Sequence, residues 1–332
     1  MAEGPDHAPS ELDVLPRLPA YDELPPAPRG GRSGWGLFGT SDSVGLFNLQ
    51  TPSRVADAAR LVRSGQVFSL NAPLDALDPP LFLRGALEHT VIDLAGLAFD
   101  DRLDNYFPQA SSQWDSLAHV GYDADQFYNG ATAGDVNAKA RNTIDHWARR
   151  GIAGRAVLID IDAVLGGAGI GFDPASPQAV TVDDLERARR AAGIEWQDGD
   201  VMLLHTGFLA WYCRQGPDLR ARLAELGELA AVGLEPSEDM ARYLWDSHLS
   251  AAVSDNPSLE VWPPDLSPER MPFGFLHRVL IGQFGLAIGE LWWLDDLARA
   301  CRGDGRFEVF LTAAPTNVSG GIGSSANALA IK

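Results

Sequence analysis

Apolar residues recur along this chain with two periods. Helical spacing follows Thr51-Pro52, where a capping hydroxyl precedes a proline suited to the first helical position. Val55, Ala58, Ala59 and Val62 then share one face, and Gly65 ends the run. The same spacing predicts helices over 136–150, from Thr181 through Leu185, Ala188 and Ala192 to Gly193, and over 218–227, 236–247 and 294–301. Short apolar runs predict strands at 67–71, 89–95, 155–161, 200–205, 249–253, 278–288, 306–313 and 326–331. Because helices and strands alternate through the middle of the chain, the fold class is α/β with a mixed sheet. Nothing resembling a linker follows residue 35, so 34–332 reads as a single domain. Residues 1–33, rich in Pro, Asp, Glu and Gly, read as a flexible arm without a core of its own, either wrapped on a neighbouring subunit or loosely attached.

The stretch Gln113-Trp114-Asp115-Ser116-Leu117-Ala118-His119 stands outside the helical pattern. It reads as a strand end or loop over a pocket. Residues four apart in a strand face the same side, so Asp115 and His119 would reach one point, and carboxylate with imidazole suits zinc or manganese. Glu290 lies in the apolar run Gly289-Glu290-Leu291-Trp292-Trp293-Leu294. It is either an exposed carboxylate at a helix start or a buried one, and burial would require a cation, a metal or hydrogen bonds. His277, between Leu276 and the Val279-Leu280 pair, is expected to be neutral in apolar surroundings, as a general base, a ligand or a bonded core residue. His205, at a strand end before Gly207, would line a pocket, whereas His146 reads as structural. The glycine-rich stretches Gly166–Gly171 and Gly320–Gly323 read as loops, since neither opens a convincing helix as a dinucleotide site requires.

Composition acts mainly by exclusion. The 332 residues are 45% hydrophobic and 21% charged, ample for a large core. A formal net charge of −19 argues against nucleic acid and anionic membranes as partners. No apolar run approaches the roughly 20 residues that span a bilayer. Two widely spaced cysteines, Cys213 and Cys301, suggest a reducing, cytoplasmic setting.

Several segments taken in order resemble the metal-dependent cyclase family, which includes bacterial kynurenine formamidase and isatin hydrolase. They are Gly45–Leu49, Ser112-Gln113-Trp114-Asp115, Phe127–Gly130, Gly199–Leu204, Ser254–Leu259, and His277 followed by Gly289–Trp292. The resemblance spans about residues 35–315 and implies a swivelling β/β/α architecture, a mixed sheet curled around the site with flanking helices. It also implies a homodimer or higher homo-oligomer acting on a small molecule. The family's metal motif, His-x3-His-x-Asp-x3-His, falls on Gln109, Gln113, Asp115 and His119, and a second carboxylate ligand on Glu290. The resemblance therefore implies one divalent ion on Asp115, His119, Glu290 and Gln113, with His277 and Asp115 in catalytic roles. Two glutamines where the family has histidines shift the expected preference from zinc toward manganese or magnesium. Trp114, Gln109, Tyr128 and His205 are the expected substrate contacts. Three functions stay open: hydrolysis of an amide, lactam or lactone in an aromatic or polyketide-like substrate, arylformamidase-like; a metal-assisted cyclisation or dehydration; and a non-catalytic binding protein whose metal site has decayed.

Overall fold

The computed structural model describes residue 15, residues 17–166 and residues 172–332. Thirteen strands occur among them: β1 Val67–Ser69, β2 Glu88–Asp93, β3 Phe99–Asp104, β4 Gln113–Asp115, β5 Ile152–Asp160, β6 Ala179–Val180, β7 Val201–His205, β8 Gly233–Leu234, β9 Ala251–Ser254, β10 Ala287–Glu290, β11 Glu308–Ala313, β12 Gly323–Ser325 and β13 Ala328–Ile331. Nine build one strongly curled half-barrel in the order β1-β13-β11-β5-β7-β9-β10-β4-β12. Its centre, β5-β7-β9-β10, is parallel, and every flanking pair is antiparallel. Helices cover the parallel strands, so these are buried on both faces and read as unbroken apolar runs such as Val201-Met202-Leu203-Leu204. Among the described residues no helix is long and apolar enough to cross a membrane.

The mixed α/β class and the central strands agree with the sequence pattern. Three segments differ. The helix expected over 136–150 is two short helices, Ala133–Asn137 and Asp145–Arg150. Between them Lys139 and Asn142 take positive φ, and the Asn142 amide holds the Tyr128 carbonyl. The strand expected at 278–288 is helical turns from His277 to Phe284, reversed at Gly285 with φ of 68°, and only Ala287–Glu290 is extended. A continuous apolar run cannot by itself separate a buried helix from a buried strand. Strand β2 does form, but it pairs only with β3, in a separate hairpin.

The N-terminal segment is also corrected. Residues 1–14 and 16 lie outside the described residues, as do 167–171 of the glycine-rich stretch. From residue 17 onward the segment is anchored, with Leu18, Tyr21 and Leu24 buried in the main core. Tyr21 donates its backbone N–H to Asp246 at 2.7 Å and its hydroxyl to Glu238 at 2.9 Å, and both acceptors belong to the helix Glu238–Asp246. The sparse apolar residues of this segment are the ones that attach it to its own chain.

The core beneath β4 is aromatic. Trp114 meets Phe47, Trp147 and Trp292 edge-on, at ring separations of 5.6, 6.3 and 4.8 Å. Its indole N–H donates to the Ala326 carbonyl at 3.2 Å. Replacing Trp114 by Ala should therefore cost about 3–5 kcal/mol, read as a lowered guanidinium midpoint. An unchanged midpoint would show that this cluster does not brace the strand.

Candidate functional site

Strand register assembles the site. Gln113 of β4 lies directly opposite Glu290 of β10, and Asp115 opposite Ile288. Side chains alternate along a strand, so Gln113 and Asp115 share a face with Glu290 while Trp114 points the other way. This explains a correction: Trp114, expected against substrate, is fully buried in the core. Tyr128 is likewise a core residue. Its ring covers Gly285 and its hydroxyl donates to Asp42 at 3.0 Å.

Two glutamine amides grip the carboxylates. Gln113 Nε2 donates to Glu290 Oε2 at 2.5 Å and to Asp115 Oδ2 at 3.3 Å. Gln109 Nε2 donates to Asp115 Oδ1 at 2.6 Å and faces His119 Nδ1 at 3.0 Å. Gln109 thus stands behind Asp115 and His119, and the side chain leaves room only because residue 323 lacks a Cβ, which would lie 2.7 Å from Gln109 Cγ. His119 reaches the site differently from the strand geometry expected of it. Beyond Asp115 the chain turns, closed by the His119 N–H to the Ser116 carbonyl, and this turn sets His119 Nε2 3.7 Å from Asp115 Oδ1. Burial holds the His119 imidazole below its ordinary pKa, against the pull of Asp115.

His277 lies at the other side of Glu290. Its Nε2 is 3.1 Å from Glu290 Oε1, its Nδ1 is 3.0 Å from Glu260 Oε2, and its ring stacks on Phe275. The expectation of a neutral imidazole fails here. Burial does push the group down, but the Glu260 charge and the contacts to Glu260 and Glu290 outweigh it and hold His277 well above its ordinary value. Glu290 is pushed up to about 7, first by burial and then by the charge of Asp115, with His277 opposing. The imidazole and carboxylates of Asp115, His277 and Glu290 present ligand atoms within 4.8 Å of one another. Gln113 Oε1 is buried without a hydrogen-bond partner beside them. Two crowded carboxylates and an unsatisfied amide oxygen fit a divalent cation of hard or borderline character, with the His277 imidazole beside them as a donor rather than a ligand. Turning the Gln113 amide over would aim its carbonyl at the same point.

A cavity of about 120 Å³ opens onto His119, His277 and Glu290, walled by Phe82, Arg84, Pro257, Ser258, Trp262 and Phe275. Of these, Phe82, Arg84, Trp262 and Phe275 carried no signal in the sequence reading. Glu260 was missed as well, although a charge in Leu259-Glu260-Val261-Trp262 is the kind of buried polar residue that needs a partner. His205 does not join this cavity. It is fully buried at the end of β7, paired with Asp160 at 2.9 Å and near Asp295 and Asp255. Burial would lower its pKa, but those carboxylates raise it to about 10, so it is an imidazolium tying strand ends together.

These features define an α/β half-barrel with a buried carboxylate–imidazole centre beneath an aromatic cavity. A family model described as putative cyclase matches residues 68–261, and the chain belongs to the cyclase family. Among solved structures, one described as a novel cyclase is 30% identical, covering 90% of this chain and 99% of that one with a TM-score of 0.79. Isatin hydrolase A from Labrenzia aggregata, bound to benzyl benzoate, is 17% identical over 82% of this chain and 94% of its own, with a TM-score of 0.57. Isatin hydrolase A from Ralstonia solanacearum is 18% identical over 85% and 97%, with a TM-score of 0.56. At such identities the hydrolase likeness is one of fold. No curated protein matches the chain.

Replacing Gln113 by Leu keeps the volume but removes the amide shared by two buried carboxylates. In the presence of chelator this should destabilise the protein by about 1–3 kcal/mol, measured by guanidinium unfolding. Equal stability of the two proteins would mean that the amide bridge is not formed.

Proposed function

We propose that the protein is a metal-dependent hydrolase of an amide, lactam or lactone bond in a small aromatic substrate. The observation that carries this reading is the convergence of Asp115, His277 and Glu290 within 4.8 Å at the edge of the aromatic cavity. A divalent ion held there would supply a water of lowered pKa and polarisation of a carbonyl. Asp115, Glu290, the Gln113 carbonyl and His119 are the residues to hold it, with manganese favoured over zinc by the oxygen-rich set. His119 is kept neutral, the form in which an imidazole binds a cation. His277 is kept protonated by Glu260, the form in which it delivers a proton to a leaving group. Phe82, Trp262 and Phe275 supply the apolar walls assigned from sequence to Trp114 and Tyr128. The cavity is of the order that takes a single aromatic ring, since an engineered apolar void of about 150 Å³ binds benzene. Arg84 lines the same cavity, its guanidinium held below its ordinary pKa by burial against the pull of Glu290 and Asp115, and is the residue we assign to meet a polarised carbonyl or a carboxylate product.

One observation favours a second reading. The Gln113 amide already links both carboxylates, which is the arrangement expected of a binding protein in which an amide has replaced the ion. Calorimetric titration with Mn²⁺ separates the two. The hydrolase should bind about one ion per chain, Asp115→Asn and Glu290→Gln should each weaken that binding at least about tenfold, and His277→Gln should bind the ion yet lose about 10²–10⁴ of its turnover on a panel of aryl formamides, lactams and lactones. A protein that takes up no divalent ion, and whose melting is the same with chelator, would sink the hydrolase and leave the second reading.

A further inference from the structure

The Gly199-Asp200 turn takes no part in the chemistry above, yet it helps to close a second polar cavity. Gly199 has φ of 89° and passes so near Leu49 that a Cβ would stand 2.9 Å from the Leu49 carbonyl oxygen. The close approach brings Asp200 against Gln50, and both line a cavity of about 350 Å³ with residues of the helix Pro52–Ala59 and of β5. A volume of that size falls within the range of small-molecule pockets. Asp200 immediately precedes β7, so the cavity lies at the amino end of the parallel strands, whereas Glu290 closes the carboxyl end of β10.

Two acceptors of this cavity have no hydrogen-bond partner among the described residues. Gln50 and Asp200 are 4% and 1% exposed, and the unpartnered atoms are Gln50 Oε1 and Asp200 Oδ1. Ser250 fixes which way the Gln50 amide points. The Ser250 hydroxyl gives its one hydrogen to the Gly199 carbonyl at 2.8 Å, so toward Gln50 it can only accept, and it takes Gln50 Nε2 at 3.2 Å. The amide oxygen must then face away from Ser250. The same hydroxyl lies 3.2 Å from the Asp200 carbonyl, which sets the two residues side by side. Asp200 Oδ2 accepts from Arg155 at 2.8 Å and from the Gln197 N–H at 2.9 Å, and Oδ1 is left over.

Positive charge is short at the same place. Arg155 serves two carboxylates, Asp200 and Glu308, while Arg54 is taken by Asp198 and Asp57 turns to Arg60. Burial pushes Asp200 up to about 7 against the pull of Arg155. Buried acceptors left unmade are costly, and a charged donor answers them best. What suits the pair is a cation with several N–H donors. Ala58 and Leu61 add an apolar wall to the cavity, suited to a short hydrocarbon stem.

We propose that this cavity binds a primary alkylammonium ion, whose NH₃⁺ group donates to Gln50 Oε1 and Asp200 Oδ1 while its stem lies against Ala58 and Leu61. The proposal does not depend on the hydrolase reading, since the cavity shares no residue with that centre.

Titration calorimetry of the full chain with n-propylammonium chloride tests this, at pH 8 so that Asp200 is ionised. The wild type should bind one ion per chain, and thermal melting should rise with its concentration. Tetramethylammonium at equal ionic strength, a cation with no N–H to give, should do neither. Gln50→Leu and Asp200→Asn should each weaken binding at least about tenfold. Should either fail to fold, Leu61→Trp decides, because it fills the cavity from its half-buried side and should abolish binding with the circular dichroism spectrum unchanged. His277→Gln, at the other end of the strands, should bind as the wild type does. A wild type without saturable uptake would mean that water alone fills the cavity and would overturn the proposal. Equal binding of tetramethylammonium, or binding indifferent to Gln50→Leu and Leu61→Trp, would overturn it too.

Discussion

Two carboxylates buried side by side, Asp115 and Glu290, are the constraint on which the site rests. Each would be costly to bury alone, and their mutual repulsion adds to that cost. The sheet forces them together, because β4 and β10 are hydrogen-bonded neighbours and the alternation of side chains admits no escape for either. The fold answers with donors from several elements: Gln113 from β4, Gln109 from the approach to it, and His277 from the helical turns before β10. These donors are not a full settlement. His277 divides its charge between Glu290 and Glu260, and Asp115 accepts only amide hydrogen bonds and a distant imidazole. The remaining negative potential makes the place attractive to a cation.

A second polar cluster is closer to charge balance, although His205 Nε2 within it keeps no hydrogen-bond partner among the described residues. Asp160, His205 and Asp255 stand at or just past the carboxyl ends of β5, β7 and β9, the side of a parallel sheet on which ligand sites usually form. There Asp160 meets both His205 and Arg302, Asp255 takes the amides of Thr206 and Gly207 and the Thr206 hydroxyl, and Asp295 meets Arg299. Each of these carboxylates has a cation or several strong donors, and the imidazolium is locked among them. Although Asp160, Asp162 and His205 bring ligand atoms as close together as the first trio does, Asp160 already meets two cations, His205 and Arg302. Position at a strand end is shared by the two clusters, and the charge balance separates them.

Much of this was legible where one physical signal acted alone. The buried parallel strands announced themselves as apolar runs and Glu290 as a carboxylate in an apolar run, while Asp115 and His119 were marked by their four-residue spacing and by the resemblance to the family motif. Legibility failed where two signals overlapped. The run after His277 is apolar with either period, so only the reversal at Gly285 shows where the helical turns stop. Trp114 and Tyr128 sit beside site residues in sequence, but alternation and packing send both into the core. The true walls, Phe82, Trp262 and Phe275, come from segments far apart along the chain, and nothing local marks them as neighbours. His277 looked neutral because its sequence neighbours are apolar. Its state is fixed instead by Glu260 and Glu290, one of which arrives from a different loop.

Gln109 and Gln113 are what make this centre chemically distinct. An imidazole offers one soft nitrogen donor and can carry a proton; an amide offers a harder oxygen or a pair of N–H donors and stays neutral. With amides at both positions, the donors around Asp115 and Glu290 are mostly oxygen, and the two negative charges are not offset by the ligands. On the reading proposed above, such a set would favour manganese or magnesium over zinc, since those ions draw more of their binding from charge and less from nitrogen or sulfur bonding. An amide also has two faces. With its N–H side inward, Gln113 steadies the carboxylates on its own; with its oxygen inward, it adds a ligand. The side chain can therefore serve the empty and the filled centre by a half-turn, a freedom that an imidazole, with a nitrogen on each edge, obtains only by moving a proton.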